Sequence, residues 1–168
     1  FSLIHHNIWG LVSGIVYGIS MILLYTMSSI YHGLIPQTAK KVFQVLDHCT
    51  VYILIAGTYT PILLTGMRKA YPVVAWVLFG IVWGVSALAI TLNAIDLRKY
   101  RVFSMICYLV LGWAVIPFWR QTMEVLGNAG FTLLLLGGIA YTVGSILYGL
   151  GKKRKWMHSI FHVFVVLG

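Results

Sequence analysis

Polar and apolar residues follow one another along this chain in long blocks. Six apolar runs stand out, at about Ile8–Ile35, His48–Gly66, Tyr71–Ile95, Val102–Trp119, Ala129–Leu150 and, shorter, Trp156–Gly168. Each of the first five approaches or exceeds the ~20 residues that cross a bilayer as helix. A transmembrane barrel would show short segments of alternating polarity instead, and this chain has none. The pattern predicts an all-α integral membrane protein, an antiparallel bundle of five full helices and part of a sixth. Connections are short, so consecutive helices are expected to be antiparallel neighbours. With no internal repeat and no low-complexity linker, residues 1–168 read as a single transmembrane domain. The sixth run has thirteen residues, fewer than the ~17–25 of a spanning helix. The chain begins with Phe and shows no signal-peptide pattern. It therefore reads as a piece of a longer parent, with a preceding helix and the end of the last helix expected beyond it.

Composition strengthens the membrane reading. Hydrophobic residues make up 60% and charged residues 9%, against about 25% charged in a soluble domain. A net charge of +9 raises nucleic acid as a partner, but the basic residues do not form a patch. They fall between the apolar runs, as expected of loops at a membrane face, which excludes nucleic-acid binding. Nine of the twelve sit in alternate connections: Lys40, Lys41, Arg98, Lys99, Arg101, Lys152, Lys153, Arg154 and Lys155. The other side holds Arg68, Lys69 and Arg120. By the positive-inside rule the nine-charge side is cytoplasmic. Two cysteines, Cys49 and Cys107, lie inside apolar runs and suggest helix packing, with neither a disulfide framework nor a metal motif.

Two features speak to packing. The first helix carries Gly10-x3-Gly14-x3-Gly18, small-residue spacing that lets membrane helices approach closely. At 100° per residue Gly14 and His32 point the same way, with Ser28 and Gly18 nearby, so the inward face is expected to carry Ser28 and His32. The second helix contains Thr58-Tyr59-Thr60-Pro61, where proline frees a carbonyl and can kink the helix. Tryptophan and tyrosine read mainly as interfacial anchors and lipid-facing bulk.

Candidate chemistry collects on the cytoplasmic side. His158 and His162 are four residues apart, one helical turn, the separation two ligands of one metal ion need. His32 closes the first helix on the same side, and Asp47 opens the second. Ionisable groups in membrane helices are costly and suggest function by default. Three imidazoles plus an open position match a catalytic Zn2+ site. The ion would lower the pKa of a bound water to about 7, and a carboxylate would hold that water and take its proton. Asp47 is the local candidate among three acidic residues, with Asp96 and Glu124 elsewhere. Ser28, one turn before His32, could bond a water or substrate oxygen. Each histidine alone also reads as an interfacial polar residue, as His5 and His6 do, and His48 reads as a bystander beside Asp47. Haem is the other cofactor histidines could ligate in such a bundle, but a pair on one helix favours a small ion.

The segments Ser28-Ser29-Ile30-Tyr31-His32, Leu46-Asp47-His48-Cys49, Ile55-Ala56-Gly57-Thr58-Tyr59-Thr60-Pro61 and His158-x3-His162 together resemble the hemolysin III branch of the progestin and adiponectin receptor superfamily. The likeness runs in order through essentially the whole chain. It implies a seven-helix protein, placed by the bacterial branch in the plasma membrane, with zinc near the cytoplasmic face. Residues matching His32, His158 and His162 would hold the ion, with Asp47 and Ser28 nearby. The superfamily is similar to alkaline ceramidases, so one implied function is zinc-dependent hydrolysis of a lipid amide or ester. The branch's haemolysin name implies another, a pore-forming or lytic protein with structural zinc. A receptor or regulator of membrane state is a third. The family's first helix, with its Glu, Asn and Ser/Thr-His pattern, has no match here, and a carboxylate from it could share the role given to Asp47. A wide channel wants a continuous polar stripe, and these helices have few polar residues outside the cytoplasmic cluster. Membrane lipids are the expected partners.

Overall fold

The computed structural model describes residues 7–97, 99–150, 163, 164, 166 and 167. Helix α1 spans Ile8–Gly33, opened by Asn7, whose side-chain oxygen accepts from the Gly10 N–H at 3.2 Å. It ends where Leu34 turns extended ahead of Pro36, a residue whose steric demand disfavours helix before it. Helix α2 spans Gln37–Pro61 and continues as a π-helical stretch, Ile62–Met67, and a last turn, Arg68–Ala70. Pro72 starts α3, which runs to Ile95. Helix α4 covers Arg101–Gly112, a 3-10 turn covers Ile116–Phe118, and α5 covers Trp119–Leu150. Among the described residues there is no strand.

Among the described residues, four stretches are long and apolar enough to cross a membrane: Ile8–Gly33, Gln37–Ala70, Pro72–Ile95 and Val102–Leu147. This differs from the count of five full helices and a part. The fourth and fifth apolar runs share one stretch, interrupted by the turns after Gly112 and by Gly127, whose φ of 68° breaks α5 in a conformation that favours glycine. Helix also fills Gln37–Asp47 and Arg120–Leu126, expected as connections. Lys40, Lys41 and Gln44 interleave there with Val42, Phe43 and Val45, so the second helix opens with a polar face that an apolar-run reading does not see. The sixth run lies outside the described residues except for its helical positions 163, 164, 166 and 167.

The described residues group into two compact units, Phe1–Leu111 and Gly112–Gly168. In the first, α2 is the central element, packed against both α1 and α3. Its Tyr52, Ala56, Leu63 and Met67 are almost fully buried, as are Ala75, Leu78, Val82 and Ala89 of α3. Pro61 lacks the N–H that the Gly57 carbonyl would receive. The chain continues helically through it and widens immediately afterwards, with the Thr65 hydroxyl donating to the Pro61 carbonyl at 2.5 Å. A kink expected at Pro61 thus appears as a π-stretch. In the second unit the Trp113 indole lies over Gly138 and donates to Thr142 at 3.0 Å.

The inward face of α1 is not the glycine stripe. Its buried positions are Ser13, Ser20 and Leu24. Gly14, one residue or about 100° from Ser13, is exposed, and a Cβ at Gly14 or Gly18 would meet nothing within 4 Å. Serine does the work of glycine here. Both hydroxyls fold back on their own helix, Ser13 onto the Gly10 carbonyl and Ser20 onto that of Tyr17, leaving a surface nearly as flat. Gly57 of α2 takes advantage of this. A Cβ added there would collide with the Ser20 hydroxyl and lie 2.9 Å from the Ser20 Cβ.

Candidate functional site

The Gly57 contact sets the register of α1 against α2. Gly57 faces Ser20 and the Tyr17 backbone. On the antiparallel partner, Asp47, ten residues earlier, is therefore level with Met27–Ile30. Ser28 falls inside that stretch and His32 two residues beyond it, about 3 Å further along the axis. The extended segment 34–36 carries the chain past the end of α1, and the first turns of α2 bring it back. Asp47 accordingly sits well inside α2 and does not open it, yet shares a level with Ser28 and His32. Ser28 is half-buried and His32 exposed, on the flank of α1 about 100° from Ser13's direction, as Gly14 is.

The Asp47 carboxylate is largely buried, with 17% of its side chain exposed. Among the described residues the His48 imidazole is its neighbour, with Nδ1 4.0 Å from Oδ2. That imidazole is engaged elsewhere, since Nδ1 also lies 2.8 Å from the Gln44 carbonyl. A carbonyl only accepts, so Nδ1 carries the proton and His48 is turned along its own helix. The carboxylate thus keeps acceptor capacity for water. His158 and His162, the pair expected to complete the site, lie outside the described residues, as do His5 and His6. Among the described residues no three His, Cys, Asp or Glu side chains come together. Asp96 serves a turn, accepting from the Lys99 N–H at 3.0 Å, and Glu124 is exposed on α5. Cys49 is buried against α3, its thiol 3.8 Å from the Ile90 carbonyl, in keeping with a packing role.

Beneath Asp47 lies a polar cluster that residue-by-residue reading missed. Asn93, fully buried on α3, donates from its amide nitrogen to the Tyr52 hydroxyl at 3.4 Å, and its carbonyl accepts from Ser104 of α4 at 2.6 Å. Tyr52 donates to the Ser104 backbone carbonyl at 3.3 Å. Tyr108, one turn beyond Ser104, stacks on Tyr52 with centroids 4.4 Å apart and donates to the His48 carbonyl at 2.9 Å. These tyrosines are interior residues, which corrects the view of them as anchors. The available signal was Asn93, an amide inside a 24-residue apolar helix, with Ser104 and Tyr108 at i, i+4 on the next. Replacing Asn93 with leucine removes one partner from each of two buried hydroxyls, leaving the Tyr52 hydroxyl only the Ser104 carbonyl and the Ser104 hydroxyl only the Tyr100 carbonyl. Thermal melts in detergent are expected to show a loss of about 1–3 kcal/mol, and an unchanged melt would show that the cluster contributes nothing.

Comparison with known proteins decides the family. The family described as "Haemolysin-III related" matches residues 2–168. The chain belongs to the haemolysin III family. It is similar to "Hemolysin-3" of Bacillus cereus, 38% identical over 164 residues that cover 98% of this chain and 73% of that protein. It is likewise similar to "Hemolysin-3 homolog" of Bacillus subtilis (strain 168), 36% identical over 168 residues covering 100% and 77%. More distantly, this haemolysin III chain resembles the "Adiponectin receptor protein" of Drosophila melanogaster, 25% identical over 147 residues, covering 75% of the chain and 32% of the receptor. No solved structure gives a significant match. The chain is thus a multi-pass membrane protein of the haemolysin III family.

Proposed function

We propose that this protein is a zinc-dependent membrane hydrolase of a lipid amide or ester. We also propose that it is one transmembrane domain of a seven-helix parent, seated in the bacterial plasma membrane with its metal site toward the cytoplasm. The observation that carries this is the shared level of Ser28, His32 and the largely buried Asp47. The donor set fits zinc: His32, His158 and His162 would hold the ion, leaving Asp47 with acceptor capacity. When bound, zinc supplies Lewis-acid charge that polarises a carbonyl. The protein's own residues do the rest. Asp47 accepts a proton from the attacking water, whose oxygen bonds to the carbonyl carbon. The carbon–nitrogen or carbon–oxygen bond then breaks, and Asp47 returns the proton to the leaving nitrogen or oxygen. Ser28 donates to a substrate oxygen and fixes its position.

A second reading, cytolysis with structural zinc, is favoured by the printed name of the Bacillus cereus relative. Against a wide pore stands the Asn93 cluster, whose polar groups bond to one another. One preparation of full-length protein in liposomes separates the two. Hydrolysis of a ceramide-like amide or a phospholipid ester without dye release is the expected result, and dye release without hydrolysis would favour lysis. Metal analysis tests the ion directly. About one zinc per chain is expected, reduced severalfold in His32→Ala and nearly absent when His158 and His162 are also alanine. An unchanged zinc content in that triple variant would remove the site.

A further inference from the structure

At the end of the first unit remote from Asp47, Arg68 closes the π-helical stretch. We propose that its guanidinium is a binding site for the phosphate of a membrane lipid, a function independent of the zinc reading. The guanidinium carbon lies 4.3 Å from the centroid of the Trp9 ring on α1, and Nε donates to the Leu64 carbonyl at 3.1 Å. The cation–π contact holds the group over the indole, and the Nε bond ties it to the backbone, so its orientation is restrained. Both terminal nitrogens are left without a partner among the described residues. Two parallel N–H groups on a rigid fork match two oxygens of a phosphate. Neither Asp47 nor Asp96 competes: one lies twenty-one residues earlier along α2, and the other follows the far end of α3.

The surroundings favour a lipid over free phosphate. Trp9 meets Trp76 edge-on at 6.1 Å, and the aromatic ladder continues through Phe79 to Trp83, which is tied to Thr60 at 3.2 Å. This ladder anchors the fork from inside the bundle. Trp76 is itself half-exposed, and Ile8 and Val73 beside it are exposed at 66% and 74%. Indole rings at a helix end mark the headgroup level, and the exposed aliphatic side chains continue toward the hydrocarbon where acyl chains would lie. Lys69, also exposed, adds a second positive charge at the same level.

The experiment uses full-length protein in detergent, stripped of lipid and zinc, and reads bound lipid by native mass spectrometry and stability by thermal melt. Dioleoyl phosphatidylglycerol is titrated beside dioleoylglycerol, with the same chains and no phosphate, and beside inorganic phosphate. Phosphatidylglycerol alone is expected to be retained and to raise the melting temperature. Arg68→Lys keeps the charge but not the fork, and its affinity is expected to fall about tenfold. Lys69→Gln is expected to lower it about threefold. Equal stabilisation by dioleoylglycerol would reduce the site to chain binding, and equal affinity for inorganic phosphate would make it a free-anion site. Either result overturns the proposal. So does wild-type lipid affinity in Arg68→Lys, a variant whose folding is checked by the melt of the lipid-free protein.

Discussion

Replacing Asp47 with asparagine is expected to leave zinc bound and to abolish hydrolysis, lowering turnover by a factor of about 10²–10⁴. The side chain keeps its size, so α2 and its packing against α1 remain. What it loses is the ability to take a proton from water and hand it to the leaving group. Metal content and turnover are measured on one preparation, because the two readings of this family part there. If zinc served structure alone, the substitution would leave both zinc and whatever membrane activity the protein has. If asparagine also emptied the site, Asp47 would be a support for the metal and not the base. Retained turnover would place the proton acceptor elsewhere.

The second large effect belongs to the close approach of α1 and α2 at Gly57. Gly57→Ala drives a methyl group into the Ser20 hydroxyl, with the Ser20 Cβ only 2.9 Å away. The hydroxyl could rotate aside, but the Cβ belongs to a helix that would have to move. Overpacking of this kind costs about 1–3 kcal/mol. Because Ser28, His32 and Asp47 take their common level from this contact, hydrolysis is expected to fall together with the melting temperature. Ser20→Gly removes both clashing atoms. Although it costs about 0.5 kcal/mol in helix propensity alone, in the double variant it is expected to restore most of what Gly57→Ala lost. A coupling energy near zero in that double-mutant cycle would mean that the two helices do not meet there.

These contacts also show which physical signals a sequence carries. Helices α1 and α3 were legible almost to their ends, because an uninterrupted apolar run has one stable form in lipid. The start of α2 was hidden, since Lys40, Lys41 and Gln44 look like a connection until their spacing on a helix is considered. The turns after Gly112 were hidden for the opposite reason: Trp113, Val115 and Ile116 are as apolar as any helix, and hydropathy does not register a turn. Ser28, His32 and Asp47 could be nominated because ionisable or hydroxyl groups at one membrane level are few. Their register could not, as it depends on two small residues, Ser20 and Gly57, that no pattern pairs. The expectation that Gly14 and Gly18 pack inward failed on the same point, as a serine bonded to its own backbone is as good a flat surface.

Asn93 has a consequence for how the chain is made. Helices leave the ribosome and enter the bilayer in order, and an amide in hydrocarbon is costly until it is partnered. Tyr52 has already been synthesised when α3 emerges, but Ser104, eleven residues downstream, has not. Helix α3 therefore reaches the insertion machinery with one bond available and one outstanding, and only α4 can supply the second. Biogenesis of this protein is expected to proceed by release of α2, α3 and α4 as a group, with chains truncated after α3 held back at the translocon or degraded.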